Sequence, residues 1–146
     1  MKEMAAPKLS VKELERLLSA DSAELFNPQS GLAIEDVWHG GARVRKHFNP
    51  GSVRSGGTLS GPTMMALADF AVYVAILGSI GWVPAAVTTN LNINFLKMPA
   101  PRDVVAEARL IKLGKRLAVG EVGIRSDGEN ALVAHATCTY SIPTRR

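Results

Sequence analysis

The sequence predicts an α+β domain in which one long apolar helix is wrapped by a curved antiparallel sheet. Residues 62–80 are apolar on nearly every side, so a helix there must be covered on most of its surface. Everything after Pro84 reads as consecutive strands joined by short turns, which implies antiparallel pairing. A flat sheet covers only one side of a helix, so the sheet has to curl. The 146 residues, 47% apolar and 21% charged, suit a single domain spanning 1–146 and are too few for two.

An N-terminal helix is expected at about 10–26. Val11, Leu14, Leu17, Leu18 and Leu25 lie near one stripe, Ser10 and Glu13 form a capping box, and Asn27-Pro28 ends the segment. The core then spans about 31–142. Residues 31–38 and 42–48 read as a strand pair across His39-Gly40-Gly41, and 49–60 as a loop. Pro62 suits the first position of the long helix, where a missing N–H is harmless. Residues 86–96 alternate, with Asn90, Asn92 and Asn94 set against Leu91, Ile93 and Phe95. Residues 97–103 read as a turn, and 104–113, 116–125 and 131–142 as strands. Ala106, Ala108, Ala134 and Ala136 fall on inward faces and allow a helix to approach closely. Leu132, Cys138 and Tyr140 are placed on the same inward face as Ala134.

The net charge of +4 is modest, and its distribution is more informative. From 55 to 96 the chain carries one charge, Asp69. A membrane span over 61–83 is not expected, because Asp69 near its middle would cost about 2.5–3.5 kcal/mol to insert and flanking cationic anchors are missing. No basic block is interleaved with aromatics, so nucleic acid is not an expected partner. The first residues lack the apolar run of a secretory signal. With the lone Cys138, this makes the expected location cytoplasmic.

Gly56 and Gly61 have the spacing of a phosphate loop, but Pro62 stands where its lysine belongs. What remains is a helix start whose Gly61 and Thr63 N–H groups face outward, able to receive negative charge. Ser60 and Ser79 are not in a nucleophile-elbow motif, and Cys138 reads as a small buried apolar residue. His39, His47 and His135 are scattered, so no metal site is expected. Lys97, Arg102, Arg109, Lys112, Lys115 and Arg116 are either a cradle for a phosphorylated tail or ordinary strand surface. Asp69 has three possible roles. It is a buried acceptor for backbone N–H groups, an exposed residue where the helix leaves the core, or a catalytic carboxylate in an apolar cleft.

Three segments carry a family resemblance. They are Gly56-Gly57-Thr58-Leu59-Ser60-Gly61-Pro62 followed by Leu67-Ala68-Asp69, then the run from Val87 through Phe95, then Leu113-Gly114-Lys115-Arg116-Leu117-Ala118. Over about 25–142 the chain resembles the hotdog-fold acyl-CoA thioesterases of the phenylacetic acid degradation type. The resemblance implies a long helix wrapped by an antiparallel sheet, and a homodimer or homotetramer with active sites shared between subunits. It implies hydrolysis of an acyl-CoA thioester, in which coenzyme A is part of the substrate and no cofactor is needed. Asp69 would be general base or nucleophile, Gly61 the N–H donor to the thioester carbonyl, and Thr88 of the partner's strand the group that positions water. Arg54 and Ser60 would line the cleft, Met65 and Tyr73 the acyl path, and Lys115 and Arg116 the coenzyme A contact. The chain departs from the family at the helix start, where Ser60-Gly61-Pro62 replaces His-Gly-Gly, and at Arg54, where an Asn is usual. Those departures motivate the alternative, a non-catalytic hotdog module that binds acyl-CoA or a lipid.

Overall fold

A computed structural model describes residues 4–50 and 59–144. Arg54 and the glycines at 51, 56 and 57 lie outside the described residues. The elements run α1 (Val11–Asp21), β1 (Leu32–Trp38), β2 (Gly41–Lys46), α2 (Gly61–Ile80), β3 (Val87–Phe95), β4 (Val104–Leu113), β5 (Leu117–Ser126) and β6 (Leu132–Ser141).

The six strands form one antiparallel sheet in the order β1-β2-β4-β5-β6-β3. Helix α2, about 30 Å long, lies in its concave face, chiefly across β2, β4 and β5. Twelve of its residues are buried, in line with its apolar sequence. Its length and hydropathy would suffice to cross a membrane, but most of that surface is covered by the protein's own sheet. Small residues permit this packing. Ala106, Ala108, Ala118 and Ala134 are fully buried under the helix. Gly120 lets β5 come close to Val72, and a Cβ at Gly78 would collide with the side chain of Val37 in β1. This is the hotdog arrangement.

Three local expectations are corrected. Helix α1 ends at Asp21 rather than about 26, because the Ser22 N–H closes on Leu18 O and the chain turns, with Leu25 and Phe26 N–H both reaching Ser22 O. The turn still buries Phe26, which stacks on Phe70 at 5.9 Å. Second, β3 does not pair with β4. It sits beyond β6 at the far edge, and the stretch 97–103 is a crossover. Seven extended residues reach over 20 Å, ample to pass two strands spaced about 4.8 Å apart. The crossover is pinned on its way. Leu96 and Lys97 N–H bond to Val133 O, Ala100 N–H to Ser126 Oγ, and Asp103 O accepts from Asp127. Third, Leu132 turns to the outer face, beside Gly123 and Arg125, because an irregularity in the β5–β6 register between Ile124 and Arg125 shifts its phase.

Candidate active site

Two polar features lie on α2. At its start, Ser60 is the N-cap. Its hydroxyl accepts from Thr63 N–H at 3.3 Å and contacts the Thr63 hydroxyl at 2.9 Å, while Ser60 O accepts from Met64 N–H. The expectation that both Gly61 and Thr63 offer free donors is thereby corrected. Thr63 is spent on the cap, Pro62 has no N–H, and Gly61 alone of the three is left without an acceptor among the described residues. Gly61 forms part of a largely apolar groove of about 460 Å³ with Leu59, Met64, Phe95, Leu96 and Met98. The Phe95 ring lies where it would crowd any Cβ at position 61, at 3.2 Å.

The second feature is Asp69, half-buried two turns further on. Its Oδ1 accepts from the Thr88 hydroxyl at 2.6 Å and the Tyr140 phenol at 2.7 Å, with the Cys138 thiol at 3.5 Å. Tyr140 Oη also reaches the Asp69 carbonyl at 3.1 Å. Among the described residues nothing donates to Oδ2, and no cation pairs with the carboxylate. Hydrogen bonds to an ionised acceptor are short and strong, so one oxygen is fastened and the other is open.

Strand geometry explains how these groups meet. Leu91, Ile93 and Phe95 pair with Cys138, Ala136 and Ala134, so odd positions of β3 share the inner face of β6. Strict alternation would leave Thr88 outside with the asparagines. A bulge at Thr89, between the Thr88–Tyr140 and Asn90–Thr139 pairs, changes the phase and turns Thr88 inward. Thr88 therefore reaches Asp69 of its own chain.

Burial raises the Cys138 thiol to about 12, and the negative Asp69 beside it adds to this, so Cys138 stays a thiol. Burial likewise lifts the Tyr140 phenol far above its ordinary range. The Thr88 hydrogen bond opposes this and the Asp69 charge reinforces it, so Tyr140 is a permanent donor. Tyr73 stacks on Tyr140 at 6.0 Å, and its hydroxyl donates to Pro84 O at 3.0 Å. Met65 is exposed on the helix between the two features. Lys115 and Arg116 are exposed in the β4–β5 turn, next to the Ile142 N–H bond to Arg116 O, at the Tyr140 end of the sheet. Among the described residues no three His, Cys, Asp or Glu side chains gather as a metal site.

The family model of the Thioesterase superfamily matches residues 56–133, which takes in the helix start, Asp69 and most of the sheet. The chain belongs to the thioesterase superfamily. A Saccharolobus solfataricus protein that carries a candidate esterase's name is 35% identical over 136 residues, 93% of this chain and 87% of its own. The crystal structure of a candidate thioesterase from Silicibacter is 36% identical, covers 97% of each chain and superposes with a TM-score of 0.84. The phenylacetic acid degradation protein of Thermus thermophilus, solved as an asparagine-to-aspartate variant, is 26% identical over 77% of this chain and 94% of its own, with a TM-score of 0.67. As a superfamily member the protein is a hydrolase with the hotdog fold.

Sequence reasoning singled out Asp69, Gly61 and Thr88. The structure brings Thr88 to Asp69 but leaves Gly61 apart, since eight residues along one helix span about 12 Å. It missed Tyr140 and the groove. An inward tyrosine on an apolar strand face looks like core, and the only available signal was its hydroxyl, which needs a partner when buried.

Proposed function

We propose that the protein hydrolyses an acyl-CoA thioester to the free acid and coenzyme A, with Asp69 as general base. The observation that carries this reading is the lopsided Asp69 carboxylate, one oxygen fastened and one open, on the central helix of a thioesterase-superfamily chain. Water attacks the thioester carbonyl carbon and gives its proton to Oδ2. The tetrahedral oxyanion is held by an N–H at a helix start, where the dipole also favours negative charge. The C–S bond then breaks, and the departing thiolate takes the proton back from Asp69.

The N–H belongs to Gly61 of a second copy, because Gly61 and Asp69 of one chain are too far apart to touch one carbonyl. Edge strand β3 supports this arrangement. Its outer backbone edge is open, and Val87, Phe95, Leu96 and Met98 are exposed around it. Two copies joined antiparallel along β3 continue the sheet and exchange ends. The Gly61 and Phe95 end of one then faces the Thr88 and Asp69 end of the other. The groove beside Gly61 takes the acyl chain, its volume lying in the usual range for small-ligand pockets. Lys115 and Arg116 offer positive charge to the coenzyme A phosphates.

The test is a panel of acyl-CoAs with detection of the freed thiol. Wild type is expected to turn over, and Asp69→Asn to lose about a hundredfold or more in kcat, the usual worth of a positioned base. An Asp69→Asn variant equal to wild type sinks the mechanism. Tight acyl-CoA binding by calorimetry with no turnover across the panel favours the non-catalytic alternative.

A further inference from the structure

We infer that Tyr140 is a positioning residue for hydrolysis: together with Thr88 it fastens Asp69 Oδ1, so that Oδ2 is the only oxygen that accepts the proton of the attacking water. The inference rests on the general-base reading above and adds to it a named oxygen and a named support. It also gives Thr88 a different task from the one the family resemblance implies, holding the carboxylate rather than the water.

The support is built in depth. Thr88 and Tyr140 are direct cross-strand neighbours, and both hydroxyls point at the same oxygen, at 2.6 and 2.7 Å. Tyr140 is 3% exposed. Its ring stacks on Tyr73, which is itself tied to Pro84 O just before β3. The phenol also spans from Oδ1 to the Asp69 carbonyl, which sets the side chain against its own backbone. A carboxylate free to rotate presents either oxygen in many directions. One held at Oδ1 presents Oδ2 in a single direction, and a base contributes most when it is already aligned. Phenylalanine at 140 would fill the same volume. The hydroxyl adds two bonds to Asp69, and the one to Oδ1 is what holds the carboxylate.

The experiment measures steady-state kinetics of Tyr140→Phe, Thr88→Val and Thr88→Ser on the best acyl-CoA of the panel, with melting temperatures alongside. Tyr140→Phe is expected to lower kcat tenfold or more with KM within twofold and the fold intact. Thr88→Val should do likewise, and Thr88→Ser, which restores the hydroxyl, should return to near wild-type kcat. In an Asp69→Asn background, Tyr140→Phe should have no further effect on kcat, since no base remains to position. Unchanged kcat in Tyr140→Phe, or a loss confined to melting temperature, overturns the inference while the general-base reading stands. If Tyr140→Phe does not fold, equal rates for the Val and Ser variants at 88 overturn it instead. A wild type that turns over without needing Asp69 removes the base itself, and the inference with it.

Discussion

Asp103 illustrates how one side chain can tie the start of one strand to the end of another. Its carboxylate accepts from Phe48 N–H at 2.6 Å, His47 Nδ1 at 3.1 Å and Arg45 Nη1 at 3.2 Å. Partial burial pushes its carboxyl up, but the Phe48 N–H, His47 and Arg45 outweigh this and hold it below the usual aspartate value. Its folded pKa is thus below its unfolded one. The stability it contributes is present above the unfolded value of about 3.9 and is lost as pH falls through the folded value. Urea unfolding between pH 6 and pH 2.5 should show a loss of stability below about pH 4 that is smaller in Asp103→Asn, and the variant should be the weaker protein at pH 7. A variant with the same pH dependence as wild type would show that the three donors add nothing. At this scale the sequence was legible where chemistry is scarce. Asp69 was visible because it is the sole charge from 55 to 96. Tyr140 was not, because nothing in a run of alternating apolar residues distinguishes an oriented phenol from a core ring.

Elements were legible as elements, and less so as neighbours. The capping box at Ser10 and Glu13 forms as expected, and the β4–β5–β6 meander follows from its tight turns. The destination of β3 was hidden, because a seven-residue connection sets how far the chain can travel and not where it docks. The inward turn of Thr88 was likewise not legible, since a bulge depends on pairing with a partner strand and leaves no trace in composition. Close approach between elements has a measurable consequence. Gly78 of α2 sits against Val37 of β1 with no room for a Cβ. Gly78→Ala should destabilise by about 1–3 kcal/mol, even though Ala is the better helix former. Equilibrium urea denaturation checks this, and a neutral or stabilised variant would mean that β1 can move away freely.

On the proposed function, the molecule as a whole carries two half-sites. Asp69 with its hydroxyl donors lies near one end of β3, and Gly61 with its groove near the other. Along one helix they stand about 12 Å apart, so the proposed mechanism draws them from different copies. If two copies complete each other, two defective chains should rescue one another. Gly61→Pro removes the N–H at a position where the first helical turn tolerates proline, with the Phe95 ring having to give way to the new Cβ, and Asp69→Asn removes the base. Each alone should be inactive. Mixed and re-equilibrated in equal amounts, they should recover roughly a quarter of wild-type activity, because half the random dimers then hold one intact site of two. No recovery, with heterodimers demonstrated, would place the whole site within one chain.

The bulge at Thr89 makes strand phase part of the site's specification. Before that residue β3 is read in one phase, and after it in the other. Straightening the bulge with every residue kept would turn Thr88 outward with the asparagines and withdraw its hydroxyl from Asp69. Deleting Thr89 instead would leave the Thr88–Tyr140 and Asn90–Thr139 pairs adjacent, with Thr88 still inward. By contrast, the exposed Thr89 side chain itself does little more than contact Thr139 O. What that residue supplies is the step of phase that lets Thr88 and Asn90, two apart in sequence, look to opposite faces.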